Sequence, residues 1–485
     1  MVDGDTYTFD VGTLVTIRGG GPNGDTPEIE KVLYPNGTQS QIPFKGAYRP
    51  PPSPTRSSRL FSSAVAPAPY IVLFSPDAAA KDIQSVNSTL AREAAPNSLS
   101  EVVSSRTGLV VFLKAAISPT QAGAIAQEPC VHGVFPDDAL EQDDELPSAH
   151  DPPSSKSHQY TARGPSAPPK TDSCNPTNIR LQPDPEEELI VLSQPPGARL
   201  WELPGYGYAS EGGKGVTIYM VDTGANIQNP EWANMPGTKS FIYALGAIHE
   251  ESDNLGHGSC TASKAAGPLY GAAKNADVVA VKMPRKIVLS AILEALIAIS
   301  NDVYKKNLRG KAVISMVIGS KVSAWRKRRR NNYKLLLNRI IAEDIVVVAA
   351  SGNSRESGHD GVNTYPALWA TTTDFILVGA VELDGYRSPY SQGTARELTT
   401  SAPGFVTCSG GKSTGVIQDF GTSFAAPAVA GVIAVWLSQE EHKARLQVPG
   451  QVAANVKKMV KEMSYPRTKG GPAVIWNGID PRRVT

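Results

Sequence analysis

Apolar and polar positions along the chain fall into two patterned regions. In the longer, residues 193–485, predominantly apolar runs occur at 215–221, 276–283, 312–318, 345–350 and 375–381. A short run without alternation reads as a strand buried on both faces. Between these runs, 260–266, 287–304, 323–342 and 425–437 read as helices. Strand and helix in alternation predict an α/β fold, a mainly parallel sheet covered by helices on both faces. The shorter region, 70–138, predicts a small α+β unit. Its strands are 70–74, 109–113 and 131–135, and its helices are 78–94 and 119–127. Ile83, Val86 and Leu90 recur at helical spacing, and Ser118-Pro119 starts the second helix. Residues 1–69, with Arg49-Pro50-Pro51-Pro52-Ser53-Pro54, are expected to be a flexible Pro/Gly-rich head. Residues 139–192 are expected to be a disordered linker. They open acidic at Glu141, Asp143, Asp144 and Glu145, continue rich in Pro, Ser and Thr, and bury too little apolar surface to fold alone.

The strand and helix ends carry the chemistry. Gly421-Thr422-Ser423-Phe424-Ala425-Ala426-Pro427 delivers a serine onto the first turn of an apolar helix. Unpaired N–H groups and the positive dipole end there can stabilise an anion forming beside the hydroxyl. A serine in that place can also be a plain N-cap. Asp222 ends the run Val216-Thr217-Ile218-Tyr219-Met220-Val221, where it is either functional or an Asx-turn residue. His257 lies between Gly256 and Gly258, just before a small-residue helix. Together they offer carboxylate, imidazole and hydroxyl.

These blocks resemble those of the subtilisin-like serine proteases, the subtilases. Val221-Asp222-Thr223-Gly224 looks like the aspartate block. Gly256-His257-Gly258-Ser259 looks like the histidine block, with serine where threonine is usual. The Ser423 block is similar to the family's, with Phe424 where methionine is usual. Val346-Val347-Val348-Ala349-Ala350-Ser351-Gly352-Asn353 resembles the strand and turn that carry the oxyanion-hole asparagine. The resemblance implies a serine endopeptidase. Ser423 would be the nucleophile, His257 its general base, and Asp222 the group that orients and stabilises the imidazole. Asn353 and the Ser423 N–H would bind the oxyanion. It also implies that Val317, Ile318 and Gly319 face Ala350, Ser351 and Gly352 across the substrate channel. The order of elements in 70–138 resembles the subtilisin propeptide, which makes the chain's own propeptide an expected intramolecular inhibitor and the protein a zymogen. An intracellular protease with one dedicated peptide substrate, or a catalytically dead subtilase that only binds, are the other readings.

Composition adds limits. A net charge of +1 gives no bulk attraction to nucleic acid or membrane, and no apolar run reaches the ~18 residues of a span. The expected partners are a peptide or protein substrate and the chain's own propeptide, with a monomer as the working unit. No cofactor is expected. Relatives often bind calcium, but no ligand set for a metal can be placed. The start Met1-Val2-Asp3-Gly4-Asp5 lacks the basic and apolar parts of a signal peptide, whereas the family is often secreted or vacuolar, so either the protein stays inside the cell or this start is not the natural one. Four scattered cysteines fit a reducing compartment slightly better. Cys260, three positions after His257, is expected to hold a thiol beside the imidazole, open to a mercurial. The basic run Arg326-Lys327-Arg328-Arg329-Arg330 is expected to be a solvated helix face.

Overall fold

The structure, a computed structural model, describes residues 6–9, 13–18, 28–33, 39–40, 66–140, 178–322 and 327–484. The chain divides into two compact units, Met1–Ser63 and Ala64–Thr485. In the first, strands Thr6–Phe9, Thr13–Arg18, Glu28–Leu33 and Gln39–Ser40 pair in sequence order as an antiparallel sheet. The flexible head expected over 1–69 therefore contains strands. Thr13-Leu14-Val15-Thr16-Ile17-Arg18 is an alternating β-branched segment that suits one. The proline-rich stretch 49–54 lies outside the described residues.

The second unit is built on a nine-stranded sheet. Its order is Lys239–Tyr243, Asp277–Lys282, Thr217–Asp222, Ala312–Met316, Ile345–Ala350, Ile376–Val381, Thr400–Pro403, Ala473–Ile475 and Ser464–Pro466. All neighbours run parallel except the last pair. The strands read as continuous apolar runs because alternate side chains enter two different cores. Ile218, Met220, Val346 and Val348 pack against the buried helix Thr422–Ser438. Tyr219, Val221, Val347 and Ala349 pack against helices Leu289–Lys305 and Lys327–Ala342. Trp436 anchors the first core and donates Nε1 to the Asn477 carbonyl at 3.0 Å. Burying a side chain of this class contributes roughly 1.5–3 kcal/mol.

Residues 66–140 form the small unit expected from the sequence. Strands Ser100–Val103, Val110–Ile117, Ala68–Phe74 and Val131–Pro136 make one antiparallel sheet in that order. Helices Ala80–Glu93 and Pro119–Ile125 cover one face, and Ser118 caps the second with a reciprocal Gln121 bond. Ile71, Leu73, Phe112 and Phe135 on the other face join the core of helices Leu289–Lys305 and Lys327–Ala342. Polar ties fix the contact. Asp137 accepts from the N–H and Oγ of Ser290 at 2.9 and 2.6 Å and pairs with Lys114 at 2.9 Å.

Two expectations need correction here. The linker expected over 139–192 ends early, because strand Ile179–Pro183 pairs with Gly205–Ala209 and helix Glu187–Leu192 is buried. Glu188, read as part of an acidic linker, accepts from Lys264 Nζ at 3.0 Å and from the Thr407 N–H at 2.9 Å. Breaking such a buried pair costs about 3–5 kcal/mol. The basic run is not uniformly solvated either. Arg329 is buried, donating to the Pro136 carbonyl at 3.0 Å and to Asp138 at 2.5 Å. Its charge holds the end of the small unit.

Candidate active site

Four loops at the carboxyl ends of the parallel strands converge on one cleft of about 1040 Å³. Asp222 closes strand Thr217–Asp222, His257 opens helix His257–Ala266, Ser423 lies in the first turn of Thr422–Ser438, and Asn353 follows strand Ile345–Ala350. All four line the cleft. Two glycines permit the approach. A Cβ on Gly258 would meet the Gly224 carbonyl at 2.2 Å, and Gly421 sits at φ +151°, which side chains rarely tolerate.

His257 Nδ1 lies 2.8 and 3.0 Å from the two Asp222 carboxylate oxygens. The carboxylate only accepts, so Nδ1 carries the proton and Nε2 keeps its lone pair. Nε2 is buried and has no hydrogen-bond partner among the described residues. Burial alone would lower the His257 pKa. The Asp222 charge and hydrogen bond, with smaller help from Asp419 and Asp253, outweigh it and raise the pKa above the ordinary 6.5. Asp222 also accepts from the Thr223 N–H at 2.7 Å and from Thr261 Oγ1 at 2.8 Å, so its geometry is fixed from three sides.

Asn353 is oriented just as firmly. Its Oδ1 accepts from the N–H and Oγ1 of Thr422 at 2.9 and 3.0 Å. A backbone N–H can only donate, so the oxygen must face Thr422 and the amide Nδ2 must face away. Nδ2 lies 3.4 Å from the position a Cβ would take on Gly421. The Ser423 N–H is in the first helical turn, where no intrahelical acceptor exists. An amide donor and a backbone donor thus flank the serine.

Of the expected channel residues, Val317, Ile318, Gly319, Ala350 and Gly352 line the cleft. Ser351 does not. It is fully buried and donates Oγ to the Gln392 carbonyl at 2.8 Å, because strand alternation turns it away from its neighbours' side.

Several residues that hold the site were not read from the sequence. Thr261 and Thr422 act one step behind Asp222 and Asn353. Asp253 gathers the loop before His257, accepting from Thr223 Oγ1 at 2.8 Å, the Gly256 N–H at 2.8 Å, and the Ser259 N–H and Oγ, both at 2.8 Å. The run Asp253-Asn254-Leu255-Gly256, an acceptor followed by loop residues, was the available signal. Phe424 packs its ring 5.1 Å from the imidazole. Behind it, Cys260 forms a disulfide with Cys408. The free thiol expected at Cys260 is therefore corrected, and the slight leaning toward a reducing compartment loses its basis. The helical spacing from His257 is right. The partner lies 148 positions away on strand Phe405–Ser409, which local sequence cannot reveal. Among the described residues, no group of three or more His, Cys, Asp or Glu side chains could hold a metal ion.

Comparison with known proteins places this geometry. The fold is similar to that of the epidermin leader peptide processing serine protease of Staphylococcus aureus, at a TM-score of 0.55 and 15% identity over 86% of this chain and 99% of that one. A subtilisin-like protease of Coccidioides posadasii is 32% identical over 275 residues, 54% of this chain and 64% of that protein. Subtilisin-like protease 2 of Trichophyton rubrum is 31% identical over 289 residues, 58% of this chain and 63% of that protein. The chain thus spans somewhat under two thirds of the length of these curated relatives. The family model described as Peptidase_S8, subtilase family, matches residues 213–463, which takes in Asp222, His257, Asn353 and Ser423. Since that match covers more than half of the sequence, the chain belongs to the subtilase family.

Proposed function

We propose that the protein is a serine endopeptidase that cuts peptide bonds in peptide or protein substrates, with Asp222, His257 and Ser423 as its triad. One observation carries the reading. An imidazole anchored through Nδ1 by a buried carboxylate presents an unpartnered Nε2 to the same cleft as a helix-borne serine and a free asparagine amide. The chemistry follows. Ser423 Oγ attacks the substrate carbonyl carbon while His257 Nε2 takes its proton. The carbonyl oxygen becomes an anion and receives hydrogen bonds from Asn353 Nδ2 and the Ser423 N–H. The imidazolium, held by Asp222, then gives its proton to the departing amine. The C–N bond breaks and leaves an acyl ester on Ser423 Oγ; water then attacks that ester while His257 Nε2 takes its proton, and the proton passes to Ser423 Oγ as the acid is freed. No cofactor is needed for any step.

The small unit acts as the inhibitor of a zymogen in this reading. Ala139 forms an antiparallel bridge with Val288, and the Leu140 N–H donates to the Ile287 carbonyl at 2.9 Å. Ile287 and Val288 line the cleft, so the end of the small unit occupies an edge that an extended substrate could use. Val288, expected inside a helix that starts at Ile287, is extended here and pairs with Ala139 instead.

A fluorophosphonate should label Ser423 alone, and Ser423→Ala should abolish both labelling and peptide cleavage. It should also leave the chain uncut between residues 139 and 193, where the wild type shortens itself. Labelling at another serine, or undiminished cleavage by Ser423→Ala, rules the assignment out.

A further inference from the structure

We propose that the cleft selects peptides carrying Asp or Glu on the N-terminal side of the bond to be cut, read by Arg285 and Lys286. The inference rests on the endopeptidase reading above and names its substrate class.

Charge in the cleft is one-sided. Five basic residues line it: Lys114, Lys282, Arg285, Lys286 and Lys412. Asp222 is the one carboxylate among the lining residues, and it is engaged by His257 and Thr261. Lys114 is neutralised by Asp137. Lys282 is buried, and its ammonium donates to the Glu250 carbonyl, the Ser252 carbonyl and Ser252 Oγ, at 2.9 to 3.0 Å. Those oxygens are neutral, so its charge stays uncancelled. Arg285, Lys286 and Lys412 are exposed and form no ion pair with any described residue. The nearby loop carries Glu250 and Glu251, exposed, but neither lines the cleft. The whole chain has a net charge of only +1, so this concentration is local. A concave site with one sign of charge attracts ligands of the other sign and repels those of its own.

Position turns charge into a reading frame. Ala139 and Leu140 run antiparallel to Val288 and Ile287. Each step toward the C-terminus of a bound chain is then one step back along this edge. Back along the same edge the chain bends at Lys286 and Arg285, which line the cleft, so an extended substrate that continued past the Leu140 position would meet them next. The same backward direction leads to Met283, whose N–H donates to the Asp222 carbonyl at 2.8 Å, and to Lys282, which pairs with Asp222 across the sheet. A chain laid on the edge therefore passes Lys286 and Arg285 before it reaches the Asp222–His257 pair. The side chains that meet them precede the scissile bond.

The chain's own sequence has the matching chemistry. Leu140 is followed by Glu141-Gln142-Asp143-Asp144-Glu145, four acidic residues in five.

The test compares peptides that differ only in Glu or Gln at the second to fourth positions before the cut, using the whole chain. The Glu peptides should be cut with about tenfold higher kcat/KM, the product of two charge pairs each worth a few-fold, and added salt should shrink the difference. Arg285→Glu combined with Lys286→Glu should reverse the preference toward Lys peptides. Equal cleavage of Glu and Gln peptides by the wild type overturns the proposal without any variant. So does a double variant that keeps the acidic preference. A wild type that takes up the fluorophosphonate but does not discriminate defeats only this inference. One that neither labels nor cuts any peptide defeats the endopeptidase reading as well.

Discussion

The Asp222–His257 side of the cleft is saturated with hydrogen bonds, whereas the Ser423–Asn353 side keeps its key atoms free. On the first side, Thr223, Asp253, Ser259 and Thr261 form one buried network around the carboxylate and the imidazole loop. The Cys260–Cys408 disulfide lies behind it, closing a long loop that the chain-entropy account values at roughly 4–5 kcal/mol. On the second side, Ser423 Oγ and Asn353 Nδ2 have no described partner, and His257 Nε2, of a residue lining the same cleft, is unpaired too. A buried unpartnered polar atom costs ~1–3 kcal/mol, so natural structures keep few of them. The one such atom of the three, His257 Nε2, belongs to the residue that lines the cleft with Ser423 and Asn353. In the endopeptidase reading, the saturated side fixes geometry and the open side meets charge that develops only during reaction. The two sides should therefore fail differently when broken.

The largest effect should come from the open side. Asn353→Ala should lower kcat by roughly two to three orders of magnitude while KM changes little, since the amide acts on the oxyanion rather than on bound substrate. Some stability should be lost as well, about 1–3 kcal/mol, because Oδ1 is the acceptor for the N–H and Oγ1 of the buried Thr422. Unchanged kcat would make Asn353 a mere turn former.

The contrast between the sides also explains what the sequence could disclose. Asp222, His257, Asn353 and Ser423 were legible because each sits at the end of a strongly patterned element, where glycines or small residues mark a turn. The parallel strands were legible for a related reason, being buried on both faces. The saturated network was not. Thr261, Asp253 and Thr422 are small polar residues whose meaning depends on what the fold sets opposite them, and Cys408 stands far from Cys260 in sequence. Helix Val452–Glu462 was missed although Val452, Val456, Met459 and Val460 repeat at helical spacing. Strands Thr400–Pro403 and Ala473–Ile475 are too short to show a period. Ser351 shows the opposite error, in which a family-like motif was read whole although strand alternation sends its middle residue into the interior.

A variant on the saturated side should sharpen the comparison. Asp253→Ala leaves Thr223 Oγ1, the Ser259 hydroxyl and the N–H groups of Leu255, Gly256 and Ser259 without their acceptor. The expected loss is about 2–3 kcal/mol of stability, read as a lower denaturant midpoint at constant slope. Activity should fall as well, but with a rise in KM and a loss of active fraction rather than a pure kcat defect. If Asp253→Ala is as stable as the wild type and loses only kcat, the division between a structural and a reactive side is wrong.

The smallest effect concerns pH, and its sign follows from the carboxylates around the imidazole. Burial works to lower the His257 pKa, but Asp222, then Asp419 and Asp253, stabilise the imidazolium and leave it raised. Only neutral His257 can take the serine proton, so kcat/KM should rise with pH through a midpoint above 6.5. The linked stability runs the other way. A raised histidine pKa stabilises the fold fully below the unfolded value, and that contribution is lost as pH climbs through the folded one. Asp419 offers a clean probe, because it is half-buried on the strand before Ser423 and acts on the imidazole through its charge alone; its own carboxylate accepts the Phe420 N–H at 2.8 Å. Burial raises the Asp419 pKa, while the Phe420 bond and His257 oppose the rise. Asp419→Asn removes the charge with little change of shape. The acid limb of the kcat/KM profile should move to lower pH, and the effect should fade at high salt. The plateau at high pH should remain, since neutral His257 needs no help from Asp419. A limb that stays in place would show that Asp222 alone sets the titration, and a lost plateau would show that Asp419 positions the serine strand instead.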